Sequence, residues 1–385
     1  MEVSHNESMS LNETFDSQAV LQRIHDYLVT SYLPLMIWLG ITCVIGVLGN
    51  IETIVFYGWN TKASSTKIFI TWLAASDLLV CAMMIDQIVE LNINVHFSNR
   101  HHCKIRYFIE YAGIYSSGIL LTIISVDRFR KVCRFSKKQF SIKSTQCASS
   151  ITVCLCVLFN LRLLFLIDVV DVPVPTLSDP IQTAVVVDVP VPTLSDPIQT
   201  AVGHDCSFSK DPDLSTLVFV SHAADFIFLL ACLTIMTICY GRLYFHIRKH
   251  SQQLSSYIAQ ARFKNSSDPV MRSITTCQSE NASVFHSLGD AERRLTHMMA
   301  LKALWFVLCY VPYLVLSVFL EFNNESERSF VLRPGVQFAL RLPHFNSVIN
   351  PIVFILLNPQ YRSFVRRQVV PAFTGSSLST SQHKI

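Results

Sequence analysis

Charge is scarce in this chain of 385 residues. Asp, Glu, Lys and Arg together make up 15% of it, against about 25% in an ordinary soluble domain. With 51% hydrophobic residues, that shortage excludes a disordered or fibrous chain and most soluble enzymes, and points to a protein whose solvent is largely lipid. No basic stripe interleaved with aromatics occurs, and a net charge of +4 is too small to imply nucleic-acid binding. Metal-ligand spacings, a nucleophile elbow and a phosphate-binding loop are also missing, so no catalysis is expected. Residues 1–30 hold no apolar core of signal-peptide type. The first apolar run is therefore expected to act as its own insertion signal.

Seven apolar runs are present, each long enough to cross a bilayer as helix: about Tyr32–Tyr57, Ile68–Val89, Cys103–Val126, Ala148–Ile167, Leu214–Tyr244, Met298–Phe322 and Val336–Leu357. They lack the alternation of barrel strands, and helices satisfy their own backbone in hydrocarbon. The expected fold is all-α, a seven-helix bundle. With the N-terminus outside, the inner loops and tail hold 21 Lys and Arg against five in the outer segments, as the positive-inside rule requires. The organisation is then an outer tail at 1–31 and a bundle at 32–357, with a second outer loop at 168–213 and a third inner loop at 246–297 that reads as flexible. An amphipathic helix and inner tail follow at 358–385. That helix sets Tyr361, Phe364 and Val365 against Arg362, Arg366 and Arg367, as suits a short helix lying on the inner leaflet.

In this topology Cys103 and Cys206 are the only two of the twelve cysteines that reach the oxidising side, and they are the natural disulfide; two free thiols are the alternative. Candidate glycosylation sites at Asn6, Asn12 and Asn324 all fall outside. The same short motif also occurs at Asn265 and Asn281, which fall inside, so it matches by chance too. The second outer loop repeats a segment, since Val169–Val185 and Val186–Val202 have the same sequence. Two copies cannot make a solenoid. A recent duplication or an assembly error explains the identity better than selection does, and the prolines favour an extended course. From Asp168 to Asp213 the loop carries eight Asp and one Lys, an acidic lid.

The third run ends in Asp127-Arg128-Phe129, 25 residues below Cys103. Gly49-Asn50 lies in the first run and Leu73-Ala74-Ala75-Ser76-Asp77 in the second. Phe306-Val-Leu-Cys309-Tyr310-Val-Pro312 lies in the sixth and Asn350-Pro351-Ile-Val-Phe354 in the seventh. Five such motifs in order resemble the rhodopsin-like (class A) G-protein-coupled receptors over roughly residues 32–367. The basic run after Arg128 is most similar to neuropeptide receptors of invertebrates. The resemblance implies a multi-pass plasma-membrane receptor that couples an outer ligand to a heterotrimeric G protein. It has no cofactor, apart from a sodium ion as a possible allosteric modulator.

The resemblance also implies roles. Asp77, Ser117, Asn346, Ser347 and Asn350 (with Asn50 near) would form an oxygen cage for sodium; a protonated, hydrogen-bonded Asp77 is the alternative. Asp127 and Arg128 would be the inner switch, with Glu292 as its resting lock or else an exposed acid beside Arg293 and Arg294. Pro312 would be the pivot of the sixth helix, with Tyr310 beside it. Tyr240 would line the opened cavity. Arrestin would meet the tail at Ser376, Ser377, Ser379, Thr380 and Ser381; a merely solvated tail is the alternative. Tyr310 stands for the usual Trp and Phe354 for the usual Tyr, and Phe354 lacks the hydroxyl that would bridge to Tyr240. A receptor that signals little is thus one alternative. A light receptor needs a lysine in the seventh run, which has none.

For the ligand, Glu110, Asp225, Asp86 and Glu90 approach the outer cavity from three helices, with Tyr313 a further candidate. Intramembrane acids are functional candidates by default. Unpaired, they favour a cationic ligand, a peptide with Arg or Lys over a small amine. Pairing with Arg106, Arg162 and Arg341 is the structural alternative, and a biogenic-amine receptor the functional one.

Overall fold

The computed structural model describes residues 2–133, 139–173, 202–264, 294, 297–298, 300–319 and 333–374. Helices α1 (Glu2–Gly58), α2 (Ser65–Ile93), α3 (Arg100–Cys133), α4 (Ile142–Asn160), α5 (Ser215–Lys264), α6 (Ala300–Phe319) and α7 (Pro334–Leu357) carry the seven spans, and α8 (Pro359–Thr374) follows. A helical turn, Leu163–Leu166, extends the fourth span outward. The duplicated segment from residue 174 to 201, Glu292, Asn324 and the Ser/Thr cluster of the tail lie outside the described residues, as do the side chains of Asn6 and Asn12.

Two helices run longer than their apolar stretches. No Gly or Pro occurs before Pro34, so nothing stops α1 beginning at Glu2. Beyond Tyr244 the chain again lacks both residues as far as Lys264, and α5 continues into the segment read as a flexible inner loop. Hydropathy reports where lipid ends, whereas helix ends need a breaker or a cap.

The bundle is apolar on the outside. On α1, Ile37, Ile41, Val44 and Leu48 are all more than half exposed and recur every three or four residues, one stripe of a helix. The opposite stripe buries Leu35, Leu39, Cys43 and Asn50. In water the outer stripe would be an aggregation surface; in lipid it costs nothing. Close approach inside the bundle uses glycine. A Cβ on Gly49 would stand 2.5 Å from Pro351, so α1 and α7 meet there. Asn50 seals the contact, its side-chain amide donating to the carbonyls of Gly46 (2.9 Å) and Ser347 (3.0 Å).

On the outer side β1 (Ile167–Pro173) pairs antiparallel with β2 (Val202–Phe208), with Val169 opposite Cys206. The first repeat copy therefore begins inside a strand. Ile167 and Cys206 of the hairpin pack against Phe97, Cys103 and Leu163. On the inner side Asn358 caps α8, its Oδ1 accepting from the backbone of Gln360 and Tyr361, with Pro359 at the first helical position. Tyr361 is buried and bonds Thr53 and the Gly49 carbonyl. Arg366 and Arg367 are exposed, so α8 has one buried and one exposed face.

Candidate functional site

Three helices supply a polar cluster near the outer end of the bundle. Glu110 on α3 accepts from Gln87 on α2 (2.6 Å) and from Arg106 one turn above it (3.0 Å). Its other oxygen meets His344 of α7 at 2.6 Å. Arg106 reaches on to Glu90 at 2.9 Å, and Arg341 of α7 takes the second Glu90 oxygen at 3.1 Å. Arg106 and Glu110 are both under 5% exposed. Two arginines thus stand against two carboxylates, with His344 as a further donor. Asp225 on α5 accepts from Tyr115 and from Arg162. Asp86 faces His102 at 3.4 Å. The acids that suggested a cation-seeking cavity are paired within the protein, which is the structural alternative left open by the sequence.

Beneath this cluster a small cleft of about 70 Å³ opens between α3, α5, α6 and α7. Its wall is largely aromatic: Tyr111, Tyr115, Phe228, Phe306, Tyr310 and Tyr313. Glu110, Asp225 and His344 supply the polar edges. The Tyr111 and Tyr313 hydroxyls lie 3.1 Å apart. Glu110, Asp225 and Tyr313 line the cleft, whereas Asp86 and Glu90, paired with His102 and with Arg106 and Arg341, do not. Gln87 and His344 were missed. Their signal was a polar side chain inside an apolar run.

The lid is pinned by the Cys103–Cys206 disulfide, with a Cα–Cα distance of 5.7 Å. Beside it, Asp205 accepts from the Cys206 amide at 2.8 Å. Burial first, and then Glu90, push the Asp205 carboxyl up to about 7. The folded protein thus holds a proton that the unfolded chain, with an ordinary Asp near 3.8, has already released. Stability from this group is present in acid and is lost as pH rises toward 7. Asp205→Asn keeps the amide contact and removes that loss. Its melting midpoint should match the parent's at pH 4 and exceed it increasingly up to about pH 7.5. A pH-independent difference would refute the linkage.

At mid-bundle, Asp77 is fully buried. One oxygen accepts from Ser117 at 2.6 Å and the other from the Asn350 amide; Ser347 is buried on α7. Asn346 is buried on α7. At the inner end Asp127, with no exposed side chain, accepts from Thr66 (2.8 Å), Lys131 (2.8 Å) and Arg128 (3.4 Å). Arg128 also bonds Thr66. Tyr310 stacks on Phe306, ring centroids 4.2 Å apart, two residues from Pro312. Phe354 is buried against Tyr57 and Tyr361. The Tyr240 hydroxyl is buried and has no hydrogen-bond partner among the described residues, as expected where Phe354 replaces a tyrosine.

Seven membrane-length helices, an outer cleft under a disulfide-pinned hairpin and a buried Asp-Arg pair at the inner end define a seven-helix membrane receptor. The sequence profile of the 7 transmembrane receptor (rhodopsin family) matches residues 49–176 and 183–354, and the chain belongs to that family. It is a G-protein-coupled receptor of the plasma membrane and not an enzyme. Among its relatives, the human thyrotropin-releasing hormone receptor is 24% identical over 382 residues, covering 94% of this chain and 83% of that one. Mouse chemerin-like receptor 2 is 21% identical, covering 90% and 83%. Bovine short-wave-sensitive opsin 1 is 33% identical, but over only 29% of this chain and 31% of its own. The fold is similar to squid rhodopsin, with a TM-score of 0.60 at 17% identity over 91% of this chain and 89% of that one.

Proposed function

We propose that this receptor responds to an extracellular peptide that enters the aromatic cleft and signals to a heterotrimeric G protein. The observation that carries this reading is the spread of polar groups around the cleft: Glu110 on α3, Asp225 on α5, Tyr313 on α6 and His344 on α7. A small amine has one cation to place, whereas a peptide offers donors and acceptors to all four helices. The internal pairing of Glu110 and Asp225 lowers the demand for a cationic ligand; that preference now rests on the acidic outer loop, which concentrates cations near the mouth. Two of the relatives that align over most of their length are named as a thyrotropin-releasing hormone receptor and as a chemerin-like receptor, which agrees with a hormone-like ligand. Among the described residues α7 has no lysine, so the opsin relatives' light-sensing is not carried over.

At the inner end the same reading gives Asp127 and Arg128 the switch, Pro312 the pivot with Tyr310, and Tyr240 and Phe354 the wall of the cavity that opens. Glu292 would hold Arg128 at rest, and arrestin would dock on the tail. The test is a second-messenger screen of cells expressing the receptor against peptide and amine libraries, followed by variants at the cleft. With the agonist found, Asp225→Asn and Tyr313→Phe should each weaken potency by tenfold or more, about 1.4 kcal/mol, at unchanged surface level. Unchanged potency in both, or agonists only among the amines, would overturn the reading.

A further inference from the structure

Lys302 lies on α6, ten residues before Pro312. It is fully buried, and its ammonium has no hydrogen-bond partner among the described residues. It rests on the face of Phe354, 3.6 Å from the ring centroid, where the ring quadrupole attracts a cation. Asn350, which donates to Asp77, lies four residues before Phe354 on the same helix. Asn350, which bonds the carboxylate, and Phe354, which seats the ammonium, thus lie one helical turn apart, about 6 Å along α7.

The side chains around Asp77 are rich in oxygen, as a hard cation requires. Two observations weigh against a free ion. Both Asp77 oxygens already accept hydrogen bonds, from Ser117 and Asn350, and Asn350 turns its N–H groups rather than its carbonyl toward them. The buried lysine also brings a positive charge of its own. One carboxylate balances one cation; a second would leave net charge in a low-dielectric interior.

We propose that the Lys302 ammonium, from its seat on Phe354, is the resident cation that balances Asp77 in this receptor's mid-bundle pocket, so that the pocket binds no free alkali ion. Phe354 supplies the other half of the arrangement. Its ring gives the ammonium an apolar seat between α6 and α7, the helices whose separation opens the inner cavity in the proposed mechanism.

The test needs no ligand. The full-length receptor, purified in detergent, is melted in sodium chloride and in choline chloride at matched ionic strength. The parent should show the same midpoint in both salts. Lys302→Met keeps the length and removes the charge; its midpoint should rise in sodium, saturably, over choline. A sodium-specific rise in the parent would overturn the proposal, and so would a Lys302→Met variant indifferent to sodium. Should Lys302→Met fail to fold, a second comparison decides. Asp77→Asn strands the ammonium, so it should melt lower than the Asp77→Asn, Lys302→Met double variant. The opposite order would show that the two charges do not balance each other.

Discussion

Arg106→Leu should remove most of the receptor from the cell surface, the largest stability effect expected of any single substitution. Arg106 bridges Glu90 and Glu110 with its side chain 2% exposed, against 12% and 5% for the two acids. Leucine fills part of the space of the arginine stem but leaves two carboxylates competing for Arg341 and His344. Breaking a buried ion pair by removing one partner costs about 3–5 kcal/mol, a large share of the roughly 5–15 kcal/mol that holds a typical domain together. Arg106→Lys should fall between parent and leucine variant, because a single ammonium cannot fork to two acids. Adding Glu90→Gln and Glu110→Gln to Arg106→Leu should restore part of the loss, since amides can be buried without a counter-charge. Surface labelling of intact cells and the melting midpoint of the purified protein read both effects. An Arg106→Leu receptor that reaches the surface and melts like the parent would show that the cluster contributes little to the fold.

The cluster also shows what a one-dimensional reading reaches. The spans were legible because each is a run of apolar residues in a chain poor in charge, and hydropathy measures that directly. The disulfide was legible because topology left two cysteines outside, and the hairpin joins them. The Arg106–Glu110 pair is a spacing of four on one helix, which sequence can offer as a neighbour. Whether Glu110 would turn instead to a ligand depended on Gln87 and His344, which come from α2 and α7 and carry no mark of their meeting in the sequence. Lys302 had a signal that went unused. It is an ionisable residue within an apolar run, which is a functional candidate by default; the motif of the sixth span drew attention to Phe306 and Pro312 instead. The helix ends were misjudged for a different reason. The chain stays helical past the lipid boundary at both α1 and α5 because no Gly or Pro interrupts it, and apolar content says nothing about that.

Arg128→Ala should silence second-messenger output, while Asp127→Asn should raise the basal output at least tenfold, about 1.4 kcal/mol of shifted equilibrium. Asp127 is the anchor of the inner end. Thr66 of α2, Lys131 one turn on and Arg128 beside it all bond its carboxylate, and Arg128 bonds Thr66 as well. In this arrangement Arg128 is tied to its own helix and to α2, with its side chain 2% exposed, and so is held away from the inner cavity. An asparagine keeps the shape and one acceptor but loses the charge that draws in two cations. Arg128 is then freer to face a partner. Thr66→Ala removes the hydroxyl that bridges Asp127, Arg128 and Lys131 but leaves the carboxylate charge in place, so its rise should be smaller than that of Asp127→Asn. The double variant Asp127→Asn, Arg128→Ala should be silent, because the release matters only through the arginine it frees. Output is compared at matched surface levels. Unchanged basal output in Asp127→Asn would leave the carboxylate a structural anchor alone, and a basal rise that persisted in the double variant would move the switch off Arg128 altogether.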